Sequence, residues 1–272
     1  MKEIRVLAVW LFSMALFFLS VGGSSNYRQK EASAKIYAPL EREDITALHV
    51  QKEYKDLAIE LNRVVFEEHR VIFDYTMKSS DLSKYEDVIV ILGFEEKGMG
   101  GAASGFAVEE KPKEKRMIAY LEMEEGSFSQ DDVGGEVTVV FESLYGAEFH
   151  SGLQMTFPVT VEKVFPCKTV EINQEFTYKG GTVVVESVDI SPFYTDVHYM
   201  DRGAKEDFMM NLYGWEVTDE SATALQCLGG GDQEYNYTAL PEGCKEIGLT
   251  LIQYKKDASY DKLGETVKIP LQ

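Results

Sequence analysis

Through most of this chain apolar residues recur at every second position, the period of a strand with one buried face. Val71, Phe73 and Tyr75 alternate with Arg70, Asp74 and Thr76, which predicts one face turned inward and one turned to solvent. The pattern predicts strands over 56–66, 69–77, 87–92, 116–123, 136–143 and 153–161. It predicts a second set over 169–178, 182–190, 195–200, 208–217, 247–254 and 265–271. Phe66-Glu67-Glu68-His69 reads as a tight hairpin and Lys179-Gly180-Gly181 as a glycine turn, and Ser191-Pro192 ends a strand. Short strands at this spacing, with no helical period between them, predict an all-β chain of two immunoglobulin-like antiparallel β-sandwich domains. Pro166 interrupts the series, which places a first domain over 54–163 and a second over 164–272.

The N-terminus breaks the alternation. Lys2 and Arg5 precede an unbroken apolar run over 6–21 that holds Trp10, Leu11, Phe12, Phe17, Phe18 and Leu19. Gly22, Gly23, Ser24 and Ser25 follow, giving the basic, apolar, small order of a signal peptide. The run is a little shorter than the about 20 residues of a usual membrane span, so an uncleaved apolar helix serves equally well. In either case the basic flank puts the short end inside and the body outside. Residues 1–25 are therefore read as signal peptide or membrane anchor, and no Cys follows the run to take a lipid. Residues 26–53 are polar and are read as a linker, with a short helix around 43–54.

Charge narrows the partners. The net charge is −19 over 272 residues, which opposes nucleic acid and anionic lipid surfaces, since both need clustered Lys and Arg. Membrane contact is left to residues 6–21.

Candidate chemistry is sparse. The glycine cluster over 98–105 has no Lys-Ser/Thr opening a helix, so it is read as a flexible loop and not a phosphate cradle. Ala102 occupies the place a nucleophile elbow around Ser104 reserves for glycine. His49, His69, His150 and His198 stand far apart, and so do the cysteines, which predicts no catalytic metal. Glu67-Glu68, Glu95-Glu96, Glu124-Glu125 and Asp131-Asp132 are adjacent pairs, and neighbours on a strand face opposite ways, so they are not acid–base dyads. Asp131-Asp132 lacks the alternating spacing of a calcium loop and reads as solvated turn acid. Trp215, Tyr213 and Phe208 share one strand region, as a ligand platform or as sandwich core, and core is the better reading. Asn236-Tyr237-Thr238 matches a glycosylation sequon. No catalytic or cofactor-binding residue is assigned. The one covalent feature expected is a disulfide between Cys227 and Cys244, across a turn-rich stretch that an oxidising exterior allows to close. Such a loop gains about 3 kcal/mol, and Cys167 is the odd thiol.

Residues 69–80, HRVIFDYTMKSS, resemble the second strand of domain of unknown function family number 4179, and 153–159, LQMTFPV, resemble its closing strand. Residues 168–176, KTVEINQEF, with 181–192, GTVVVESVDISP, resemble the immunoglobulin-like companion, family number 5643. The resemblance implies the extracytoplasmic region of an anti-sigma-factor-like protein of Gram-positive bacteria: two sandwiches outside the membrane, without known catalysis. Members often carry a cytoplasmic segment; here only residues 1–5 precede the apolar run, which argues against direct sigma-factor control. The expected function is a non-enzymatic sensor or interaction module of the envelope. The alternative is a wall-associated adhesive or carbohydrate-binding sandwich.

Overall fold

The computed structural model describes residues 38–94, 99–123, 127–143, 153–179, 181–202, 213–231, 233–255 and 259–271. The apolar run over 6–21 and its expected helix lie outside these residues. Among the described residues no helix is long and apolar enough to cross a membrane. The chain is all-β, and it divides into two compact units, Leu40–Cys167 and Lys168–Gln272, with Ala38 and Pro39 grouped with the latter.

A short 3-10 turn, Ala38–Glu41, leads into the first unit and its β1 (Val50–Tyr54), β2 (Leu57–Glu67), β3 (Arg70–Lys78), β4 (Val88–Phe94) and β5 (Met99–Ser104). They are followed by β6 (Phe106–Lys111), β7 (Glu114–Glu122), β8 (Glu136–Ser143), β9 (Gln154–Thr160) and β10 (Val164–Phe165). One sheet runs β1-β2-β3-β7-β6, with β10 parallel on the end of β2; the other runs β5-β4-β8-β9. Val71, Phe73, Tyr75 and Met77 of β3 meet Val90, Val139, Phe141 and Phe157 in one core. Burial of that inward face is what fixes the register, since a slip by one residue would bring Arg70 and Asp74 inside. The sheets also approach at their edges, β1 beside β9 and β5 beside β7.

The second unit holds β11 (Lys168–Tyr178), β12 (Gly181–Ile190), β13 (Tyr194–Asp201), β14 (Tyr213–Thr218) and β15 (Cys227–Gly231). Then come β16 (Glu234–Thr238), β17 (Glu246–Tyr254), β18 (Tyr260–Lys262) and β19 (Val267–Pro270). The order is β11-β12-β13-β16-β15 in one sheet, and β14-β17-β18 with β19 also on β17 in the other. The inward residues of both sheets, among them Val183, Val185, Val197, Trp215, Tyr235, Tyr237, Leu249 and Leu251, form its core.

Several expectations need correction. The helix expected around 43–54 is absent; residues 50–54 are β1, a strand so exposed that its sequence, VQKEY, carries no apolar alternation. The linker expected over 26–53 belongs in its described later part to the first unit, because Leu40 and Ile45 are buried there. The glycine cluster is strand β5, paired antiparallel with β4. Glycine suits it sterically: a Cβ on Gly101 would stand 2.7 Å from Cδ1 of Leu121, a residue of β7. The turn-rich stretch after Cys227 is the β15–β16 hairpin. The division between units falls after Cys167 and not at 163/164, because Val164 and Phe165 pair with Phe66 and Glu67 of β2. Finally, the face of β3 expected in solvent is buried as well: Arg70 is 2% and Asp74 1% exposed.

Candidate functional site

The outward face of β3 gathers charge because the register of β2, β3 and β7 sets three polar rows side by side. Arg63 lies opposite Asp74, and Arg116 opposite Thr76. The Asp74 carboxylate accepts from Arg116 Nε at 2.9 Å and Nη2 at 2.7 Å, from Arg63 Nη1 at 3.2 Å and from Asn62 Nδ2 at 3.0 Å. A carboxylate this deep requires such partners, since an uncompensated buried charge is strongly destabilising. The donors saturate it, so its chemistry is structural: a charged bolt across three strands. Glu60 and Lys78 extend the row at 3.2 Å. His49 meets the same Glu60 through Nδ1 at 3.1 Å, and its proximity is the chief influence holding the Glu60 carboxyl below its ordinary range.

The second cluster lies on β12, β13 and β16. Pairing of Asp189 with Asp196, and of His198 with Glu234, brings four residues from three strands to one outer face. His198 Nε2 stands 3.0 Å from Asp189 Oδ2, and its Nδ1 3.8 Å from Glu234 Oε2. Asn236 Nδ2 donates to Asp196 Oδ1 at 2.7 Å and to Glu234 Oε1 at 2.6 Å. Thr169 of β11 donates to Asp189 at 2.6 Å. The hydrogen bond to Asp189 raises the His198 pKa, against the opposing effect of burial. Both ring nitrogens face carboxylates. A general base needs one of them turned to a nucleophile; here the nearest groups to both are carboxylates, an arrangement that favours the protonated ring.

The residues singled out in the sequence fall as follows. Cys167, Cys227 and Cys244 are thiols, so the expected Cys227–Cys244 disulfide is not formed in the structure. Both side chains pack against the core as small apolar groups, and Cys244 Sγ is turned to the Glu246 carbonyl at 3.2 Å. Trp215 and Tyr213 are core, Trp215 being 1% exposed and edge-on to Phe176 at 4.7 Å. They offer no stacking platform; Phe208 lies outside the described residues. Asp132 is not solvated turn acid but a buried cap, accepting from Ser129 N at 2.7 Å and Ser129 Oγ at 3.0 Å. Glu67 is buried, while Glu68 accepts from the Cys167 amide at 3.1 Å. His69 is exposed. Glu95-Glu96, Glu124-Glu125 and His150 lie outside the described residues. Asn236 of the sequon sits mid-strand with its amide engaged by two carboxylates.

No family model matches this sequence, and no curated protein matches it. Among solved structures, the conserved domain protein from Bacillus anthracis is similar with a TM-score of 0.57 at 15% identity, covering 85% of this chain and 92% of that one. That likeness establishes a common fold. The full ectodomain of mouse nectin-like molecule 4 is matched at TM-score 0.24 and 11% identity, over 76% of this chain and 62% of that one. The major pilin subunit of Bacillus cereus is matched at 0.22 and 10%, over 80% and 67%. These two scores are below those of a shared fold.

Proposed function

We propose that this chain is a non-enzymatic module of the cell envelope that works outside the membrane through its β-sheet surfaces, in the manner of the extracytoplasmic part of anti-sigma-like proteins. One observation carries the reading: an apolar run with a basic flank, Lys2 and Arg5, stands before a body made wholly of β units. Supporting it, all four segments on which the resemblance to the two families rests form strands, β3, β9, β11 and β12. The charged groups that could have served catalysis, Asp74 and His198, are engaged in cross-strand pairs. The immunoglobulin-like character of each unit belongs to the same proposal.

The alternative of a carbohydrate-binding sandwich loses most of its motive, because Tyr213 and Trp215, two of the aromatic residues that suggested it, lie in the core. Protease added to intact protoplasts is the test. The reading expects degradation of the body with the cytoplasmic marker spared; full protection of the body overturns it. A sigma-factor gene beside this one would extend the reading to signalling.

A further inference from the structure

Residues 40–48 cross the first unit as a strap without strand pairing of their own, and two kinds of contact hold them down. Leu40 and Ile45 are buried anchors, 2% and 9% exposed. Ile45 and Leu48 help line a small hollow of about 30 Å³ of mixed character, with Val65 and Phe165 on its apolar side and Thr46, Thr160 and Glu162 on its polar side. Above it lies a charged layer. Asp44 accepts from Lys163 Nζ at 2.7 Å and from Arg42 Nε at 2.9 Å. Both cations lie over the Phe165 ring, Lys163 at 4.3 Å and Arg42 at 5.8 Å from its centroid. Thr46 donates to Glu162. The Leu48 amide donates to the Asn62 carbonyl at 2.8 Å and ties the strap to the sheet. The strap joins β1 through His49, whose φ of 48° is left-handed, a conformation costly for a residue other than glycine.

These contacts link the two ends of the unit. Lys163, Glu162 and Phe165 belong to its last stretch, where β10 pairs with Phe66 and Glu67, Gln130 Nε2 donates to the Val164 carbonyl at 2.7 Å and the Cys167 amide donates to Glu68 at 3.1 Å. We propose that the strap and this last stretch form one ionic latch: residues 40–48 and 161–167 open together, ahead of the rest of the unit, when the Asp44–Lys163–Arg42 layer is screened. The magnitudes favour this. The paired side chains are 37%, 45% and 42% exposed, and exposed pairs of this kind contribute about 0–1 kcal/mol each and weaken with salt. The sheet beneath is held by continuous ladders and a full core. Local opening draws on the weakest contacts; here the exposed ion pairs are shared between the two ends, while Val161 and Val164 of the last stretch are anchored in the core. Opening uncovers Val65 and Phe165, both buried in the closed unit.

Hydrogen exchange on the full chain, read by mass spectrometry, tests this. In wild type at low salt, peptides over 40–48 and 161–167 should exchange at matching rates, faster than peptides of β3. Asp44→Asn and Lys163→Gln should each speed both segments severalfold and leave β3 unchanged. Wild type in about 1 M NaCl, where the screening length falls to about 3 Å, should do the same without any substitution. Acceleration of the strap alone, acceleration of β3 in parallel, or no acceleration in any arm overturns the proposal.

Discussion

The two units place their polar groups differently within one architecture. The first buries charge on the outer side of a sheet: Asp74, 1% exposed, is held by Arg116, Arg63 and Asn62 on neighbouring strands. The second buries phenols between sheets. Tyr235 donates to the Tyr213 carbonyl at 2.6 Å and Tyr237 to that of Trp215 at 2.7 Å, stitching β16 to β14 across the core. A phenol carries its own apolar body into the core and asks for one acceptor. A carboxylate must recover the solvation of a full charge. Loss of the Asp74 carboxylate is therefore expected to cost the first unit more than loss of one core phenol costs the second.

Asp74→Ala gives the largest expected effect. It leaves the part-buried Arg116 and Arg63, 21% and 18% exposed, without their acceptor, and solvent access to both guanidiniums puts the cost at or below the low end of the about 3–5 kcal/mol of a fully buried pair. The two tryptophans are Trp10 and Trp215, so Trp215 fluorescence reports the second unit while far-ultraviolet circular dichroism reports both. In urea the circular-dichroism transition should split, its early part moved down while the fluorescence midpoint stays. A joint shift of both signals would show that the units do not respond separately.

Gly105→Ala probes the same unit by volume. A Cβ there would stand 2.1 Å from the Tyr75 hydroxyl, and overpacking of a filled core costs about 1–3 kcal/mol. That hydroxyl is buried without a hydrogen-bond partner among the described residues, so Tyr75→Phe should be close to neutral and should rescue Gly105→Ala. Failure of rescue in chemical denaturation would place the strain in the backbone.

Tyr237→Phe is the milder counterpart in the second unit. Removing one buried neutral hydrogen bond costs about 1 kcal/mol. The Trp215 fluorescence midpoint should move and the first unit's transition should not. An effect as large as that of Asp74→Ala would erase the contrast between the units.

The sequence made most interior strands legible because burial writes a period of two, as in Val71, Phe73 and Tyr75. It concealed β1, β5, β6, β15, β18 and also the interior strand β16, whose buried Tyr235 and Tyr237 lie in a run too short and polar to stand out. VQKEY lies exposed at an edge and CLGGG is mostly glycine, so neither displays an apolar face. Asp74 was legible as an outward residue but not as a buried one, because alternation tells which side a residue faces and not whether that side is covered. The His198 cluster was illegible for another reason. Its members lie on β12, β13 and β16, and only the pairing register brings them together. The disulfide was inferred from loop length and compartment; the side chains instead pack as apolar thiols beside the core, a role that spacing does not distinguish.

The smallest expected effect separates the units by pH. His198 faces Asp189 of β12 and Glu234 of β16, with Asp196 of its own strand nearby and Asn236 as the neutral neighbour. The bond to Asp189 raises its folded pKa, so the protonated ring is favoured in the folded state. The sign follows from linkage: a raised folded pKa gives a stabilisation fully present below the unfolded value of about 6.5 and lost as pH rises through the folded value. The side chain keeps 31% exposure, so solvent screening keeps the effect modest. Between about pH 5 and about pH 8, the Trp215 transition of wild type should lose stability relative to His198→Gln, which retains hydrogen-bonding capacity but cannot titrate. The first unit's transition should show no such difference between the two proteins. Parallel pH profiles for wild type and His198→Gln in the Trp215 signal would remove His198 as the source and leave the carboxylates of the same face to account for any slope.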